Sequence, residues 1–239
     1  MSIQTPDKKT SPIRAVRSGA HAAMKRAAAI PTLILFTRVP QAGHAKTRLI
    51  PALGPEGAAE FQWCLLERLL GELQGGAAQG LWRLSIHYCG DEGLPRLRAL
   101  LDESTALTPQ VDAPDLGIRM RAALDYELDG GAPVVGLMGS DLPTATAGVV
   151  SEALGLLANP AADVALCPTE DGGYWFVGLK RPVPQLFEGT TYGGATVFDD
   201  ALAACRAHAL TPAVGPRLRD IDTPEDLAWL QAAPGHLIV

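Results

Sequence analysis

Apolar and polar positions along this chain change period at short intervals, so that strand-like runs alternate with helix-like ones from residue 31 onward. Leu33-Ile34-Leu35-Phe36 is an unbroken apolar run of strand length, and it predicts a buried strand over 32–37. Phe61, Leu65, Leu69 and Leu73 then recur every four residues, which predicts a helix over 55–74 with Pro55 in its first turn. Further strands are predicted at 84–89, near 107–111, and at 133–138, 163–167, 174–179 and 210–214. Helices are predicted at 93–102, 116–128, 145–158, 195–208 and 224–232.

Alternation of this kind implies an α/β fold, with a mostly parallel central sheet flanked by helices on both faces. The most apolar strands, 32–36 and 133–138, fit the middle of that sheet. Ligands of such sheets bind beyond the carboxyl ends of central strands. Two motifs fall there. Pro40-Gln-Ala-Gly43-His-Ala-Lys46-Thr47-Arg48 follows the first strand, and Gly139-Ser-Asp141-Leu-Pro143 follows the other.

Composition narrows the field. A chain of 239 residues can bury one substantial core. The net charge of −6 conceals a basic start: residues 1–31 carry six Lys and Arg against Asp7, a balance of +5 that leaves −11 for the rest. An acidic body argues against nucleic acid as a partner. Residues 1–30 read as a disordered leader, faintly like an organelle transit peptide, with Met24 as an alternative start; 31–239 read as a single domain. No apolar stretch approaches the roughly 20 residues of a membrane span. Cys64, Cys89, Cys167 and Cys205 form no C-x-x-C pair, so reduced thiols in a cytoplasm are expected, with Cys89 and Cys167 as core residues.

The first motif offers backbone N–H groups, Gly43 for a turn, Thr47, and the cations Lys46 and Arg48, which together suit a polyphosphate. Arg38 is a further cation and His44 a further phosphate contact. Asp141 suits Mg²⁺, which takes one or two carboxylates and fills its remaining positions with water and phosphate oxygens. The alternative role for Asp141, capping the next helix, falls better to Thr144. Asp115 caps the helix carrying Arg119, and a cation in that first turn asks for an anion, either a ligand or an Asp partner. Asp171, Gly172, Gly173 and Tyr174 form a turn that also suits an acceptor. Thr223, Pro224 and Asp226 make a helix start, which leaves Asp220 and Asp222 free. Asp222 is assigned as the second metal ligand, with Asp220 and Asp171 as alternatives. The chain shows no Ser-His-Asp set and no H-E-x-x-H pattern, which suits phosphoryl or nucleotidyl transfer, where positioning and charge neutralisation do most of the work.

The segments F-x-R-x-P-x-x-G-x-x-K-T-R-L (36–49), D-L-G-x-R-M (115–120), G-S-D-L-P (139–143), E-D-G-G-Y (170–174) and R-D-I-D-T-P-E-D-L (219–227) resemble a bacterial family of glycosyltransferase-like proteins in the nucleotide-diphospho-sugar transferase superfamily. The resemblance spans residues 32–230. The first loop is also similar to that of 2-phospho-L-lactate guanylyltransferase, and the last segment to that of molybdenum-cofactor guanylyltransferases. It implies the three-layer, Rossmann-like GT-A fold. It also implies a nucleoside triphosphate held by Gly43, Lys46 and Arg48, and Mg²⁺ (or Mn²⁺) on Asp141. Arg38, Ala42, Ile118 and Tyr192 depart from the family's Lys, Pro, Glu and Trp.

Three functions follow as expectations. The first is nucleotidyl transfer from a nucleoside triphosphate to a small phosphate, phosphonate or alcohol acceptor, with release of pyrophosphate. The second is glycosyl transfer from a nucleotide sugar. The third is nucleotide binding without catalysis.

Overall fold

A computed structural model of the protein describes residues 30–232. The predicted leader lies outside the described residues, Ile30 excepted.

The run Thr32–Arg38 forms β1. Side chains alternate across a strand, so Leu33 and Leu35 enter one apolar cluster while Ile34 enters another; none of the three has exposed surface. A strand buried on both faces belongs in a sheet's interior. β2 (Arg83–Cys89) and β4 (Val135–Met138) flank β1, each parallel to it. β3 (Ala106–Pro109) lies beyond β2, again parallel. On the other side, β6 (Tyr174–Leu179) runs antiparallel to both β4 and β5 (Val164–Pro168), and β7 (Pro212–Val214) pairs parallel with β5. The seven-stranded order is β3-β2-β1-β4-β6-β5-β7. The sheet is thus mostly parallel. Its reversal at β6 has a local cause: residues 169–173 are a tight turn, and parallel neighbours need a crossover of a dozen or more residues.

Helices cover both faces. α1 (Ile50–Ala78) lays Leu66, Leu69, Leu70 and Leu73 on the face of Leu33 and Leu35, and each buried leucine contributes about 1.5–3 kcal/mol. Gly54 interrupts α1 with φ 73° and ψ 166°, so Pro55 opens the long segment, as predicted. α2 (Leu94–Ala99) is short. α3 (Leu116–Asp129) packs Met120, Ala123 and Leu124 against Ile34 on the opposite face. α4 (Ala147–Gly155) returns to the α1 face through Val150, Ala153 and Leu154. α5 (Val197–Ala207) joins α3 through Ala201 and Cys205, and α6 (Pro224–Ala232) follows β7.

α4 begins later than predicted. Thr146, extended at φ −121° and ψ 162°, is its N-cap and accepts from the Val149 N–H at 3.3 Å. Thr144 is not the cap. Cys167 is fully buried, and burial pushes its thiol up to about 12, in keeping with a core role.

Candidate active site

Three chain segments meet beyond the carboxyl ends of β1 and β4. The loop after β1 turns at Gly43 (φ 80°) and folds on itself through Ala45 N–H to Gln41 O at 2.9 Å. It then places Lys46 in the left-handed region (φ 45°, ψ 49°), a conformation uncommon outside glycine. The loop after β4 carries Asp141. The segment before α6 carries Asp222, and it is tied to the β4 loop by the bond from Ile221 N–H to Asp141 O at 3.1 Å.

These segments converge on one ammonium. Lys46 Nζ lies 3.0 Å from Asp141 Oδ2 and 2.7 Å from Asp222 Oδ1. The lysine side chain is only 5% exposed, while the aspartates are 40% and 38% exposed. Burial alone would lower the lysine's pKa, but the two carboxylates outweigh it and hold it above the usual value.

The cavity beside this cluster has a volume of about 460 Å³, within the range of small-molecule sites. Arg38, Lys46, Arg48 and Arg119 line it, against Asp141 and Asp222. That is a formal balance of +2 in a chain whose net charge is −6, so the cleft favours an anion. Thr47, His44 and Tyr174 also belong to the wall.

Arg119 has no Asp partner among its hydrogen bonds. Its Nη1 donates to Gln110 Oε1 at 3.1 Å, and its buried Nε has no partner. Gln110 is itself fixed by donating to Thr37 O at 3.1 Å and His87 O at 3.0 Å. Asp115 caps α3 as expected, accepting from Ile118 N–H at 2.8 Å.

Other candidate residues also serve the fold. Asp171 Oδ1 accepts from Thr169 Oγ1 at 2.5 Å and from Gly173 N–H at 3.0 Å, so it serves its own turn. Gly172 (φ 94°) abuts backbone: a Cβ there would come within 2.0 Å of Ala195 O. A Cβ on Gly173 would meet Thr169 Oγ1 at 2.8 Å. Chain packing thus accounts for both glycines, and of this acceptor set only Tyr174 lines the cavity. Its hydroxyl lies 3.4 Å from that of Tyr192, one of the departures noted above. Ile118, another, is 55% exposed and outside the wall. Gly43 shapes the loop without lining the cavity. Cys89 lies at the wall rather than in the core, with Sγ 3.8 Å from Arg119 Nη1.

Thr223 and Asp226 cap α6 reciprocally, through Asp226 N–H to Thr223 Oγ1 at 3.3 Å and Thr223 N–H to Asp226 Oδ2 at 2.9 Å. Asp220 is pushed up to about 6 by burial and by the neighbouring Asp171 and Asp222 carboxylates.

Two glutamines of the wall lie outside the sequence motifs, Gln110 and Gln62. Gln62 is 5% exposed and donates to Asp141 Oδ1 at 2.8 Å. A polar residue four positions before Leu66 on a buried helical stripe is the signal that marks it.

Among the described residues, no group of three or more His, Cys, Asp or Glu side chains forms a metal cage. A two-carboxylate site still fits Mg²⁺ or Mn²⁺. Asp141 and Asp222 are hard oxygen donors, partly exposed, that already converge on a cation beside an anion-binding cleft.

The strand order, with one antiparallel strand in a mostly parallel sheet, and a cationic cleft above β1 and β4 define a nucleotide-diphospho-sugar transferase fold. A protein from Desulfovibrio desulfuricans G20, described as a "putative nucleotide-diphospho-sugar transferase", is 32% identical and superposes with a TM-score of 0.73, covering 84% of this chain and 86% of that one. The chain belongs to the nucleotide-diphospho-sugar transferase superfamily and, within it, to the family described as "Uncharacterized protein conserved in bacteria (DUF2064)", whose model matches residues 73–194. Two cytidylyl enzymes share the fold at low identity. CMP:2-keto-3-deoxy-manno-octonic acid synthetase, complexed with CTP, is 10% identical with a TM-score of 0.55, over 84% of this chain and 97% of that one. The 4-diphosphocytidyl-2C-methyl-D-erythritol synthase of Anaerococcus prevotii DSM 20548 is 11% identical with a TM-score of 0.55, over 87% and 99%. No curated protein matches the sequence.

Proposed function

We propose that this transferase moves a nucleotidyl group from a nucleoside triphosphate to a small phosphate, phosphonate or alcohol acceptor, with the help of Mg²⁺ or Mn²⁺. The observation that carries the reading is the single cluster of Lys46, Asp141 and Asp222 at the wall of a cleft with surplus positive charge. A triphosphate needs more neutralisation than the diphosphate of a nucleotide sugar, and Arg38, Arg48 and Arg119 stand ready to supply it.

Asp141 and Asp222 would hold the divalent ion, which when bound neutralises phosphate oxygens. Lys46 approaches the same phosphates as a point charge, and Arg48 clamps them through paired N–H groups. The acceptor oxygen attacks the α-phosphorus, the bond from the α-phosphorus to the bridging oxygen breaks, and pyrophosphate leaves; a phosphate or phosphonate acceptor attacks as the anion, and an alcohol acceptor loses its proton to solvent. Fixed charges aimed at developing charge are often the largest catalytic contribution, and losing one commonly costs about 10²–10³ in rate. Lys46→Ala and Asp141→Ala are therefore expected to abolish pyrophosphate release while the purified proteins stay folded by circular dichroism. Turnover like that of the wild type in either variant would overturn the mechanism.

The name borne by the Desulfovibrio relative favours a second reading, glycosyl transfer from a nucleotide sugar. A free sugar–acceptor product and a released nucleoside diphosphate, with no pyrophosphate, would establish it.

A further inference from the structure

We propose that Gln62 is a positioning residue of the cation site. Its side chain reaches from α1 to the loop after β4, donating through Nε2 to Asp141 Oδ1 at 2.8 Å and to Ser140 Oγ at 3.1 Å. Ser140 Oγ in turn donates to Asp141 Oδ1 at 3.3 Å, and Thr37 Oγ1 lies 3.0 Å from Ser140 Oγ. Thr37, Gln62 and Ser140 are 3%, 5% and 6% exposed, so these three side chains are shielded from solvent. Two donors, Gln62 Nε2 and Ser140 Oγ, meet on one oxygen, Asp141 Oδ1. Fixing that oxygen aims the other, Oδ2, at the cation position now held by the Lys46 ammonium. The amide cannot be turned over, because an ionised carboxylate only accepts and Nε2 must face it.

The orientation leaves Gln62 Oε1 buried with no partner, on a residue of the cavity wall. Buried polar atoms normally find partners, and an orphan beside a ligand cleft asks for a donor that arrives with the ligand. This inference rests on the cation site proposed above.

The test is Mn²⁺ binding to the full-length protein, followed by the electron paramagnetic resonance of free Mn²⁺. It is run on wild type and in a Lys46→Met background, where no ammonium competes. Gln62→Met fills the same space without either polar atom. It is expected to weaken Mn²⁺ binding by about 10–100-fold, as loss of a partner that orients a metal ligand does, while the melting temperature holds or rises because the orphan is gone. Gln62→Asn, too short to reach Asp141, is expected to show the same loss and covers the case in which Gln62→Met does not fold. Unchanged Mn²⁺ affinity in a folded variant overturns the proposal while leaving the cation site intact. Absence of Mn²⁺ binding in both the wild type and the Lys46→Met background overturns the cation site and the proposal together. Mn²⁺ binding without any nucleotide turnover overturns only the nucleotidyl-transfer reading.

Discussion

The Lys46 ammonium is the counter-ion that keeps Asp141 and Asp222 together, and the phosphates of the proposed triphosphate would compete for it. The stabilisation is modest, about 1 kcal/mol, because both carboxylates are well over a third exposed. Its sign with pH is fixed by the raised lysine value. The contribution is fully present below the ordinary 10.5 and is lost as pH rises through the higher value of the folded state. Urea melts of Lys46→Met against wild type are expected to differ at pH 8 and to converge only as the pH climbs above 10.5. A gap that widens with pH would contradict the ion-pair account. At this scale the sequence was legible in where it puts charge: Lys46 and Arg48 follow β1, Asp141 follows β4, and all three line one cleft. It was opaque for Gln62 and Gln110, whose roles come from neighbours 79 and 73 positions away, Asp141 and Thr37.

At the scale of elements, α3 is held to the sheet by more than its apolar face. Glu127 is 5% exposed; its Oε2 accepts from Arg83 Nη2 at 3.0 Å, and its Oε1 lies 3.3 Å from His87 Nε2, both on β2. Burial alone would raise its pKa, but these partners outweigh that and hold it below the usual carboxylate value. A depressed value means stability that is present above the unfolded 4.5 and is lost as pH falls through the folded value. Glu127→Gln is expected to cost about 1–3 kcal/mol at pH 7 and progressively less as pH falls below 4.5, in chemical denaturation at pH 7 and at the lowest pH at which the protein stays folded. An equal cost at both would show that charge is not the cause. Element boundaries were legible where a local rule acts alone: Asp115 and Thr223 as caps, and the Asp171-Gly172 turn between antiparallel strands. The start of α4 was not, because Thr144 and Thr146 present the same side chain, and it is Thr146, extended at the helix start, that accepts from the Val149 N–H.

At the scale of the molecule, the fold sets β1 and β4 side by side in the centre, which the two most apolar strands already indicated. What no periodicity could show is that the segment before α6, some 80 residues beyond the β4 loop, returns to it and delivers Asp222 to Lys46. The turn at 170–173 shows the converse: its glycines pack against Ala195 and Thr169, contacts that exist only once the chain is folded, while Tyr174 beside it lines the cleft. The proposed occupant of this cleft, a nucleoside triphosphate with a divalent cation, is tested by thermal unfolding. The four common triphosphates and UDP- and GDP-sugars are each added with and without Mg²⁺. A triphosphate with Mg²⁺, at about 100 times its Kd, is expected to stabilise the wild type by about 2.7 kcal/mol and to leave Lys46→Ala and Asp141→Ala unmoved. Stabilisation by a nucleotide sugar and by no triphosphate would contradict the account.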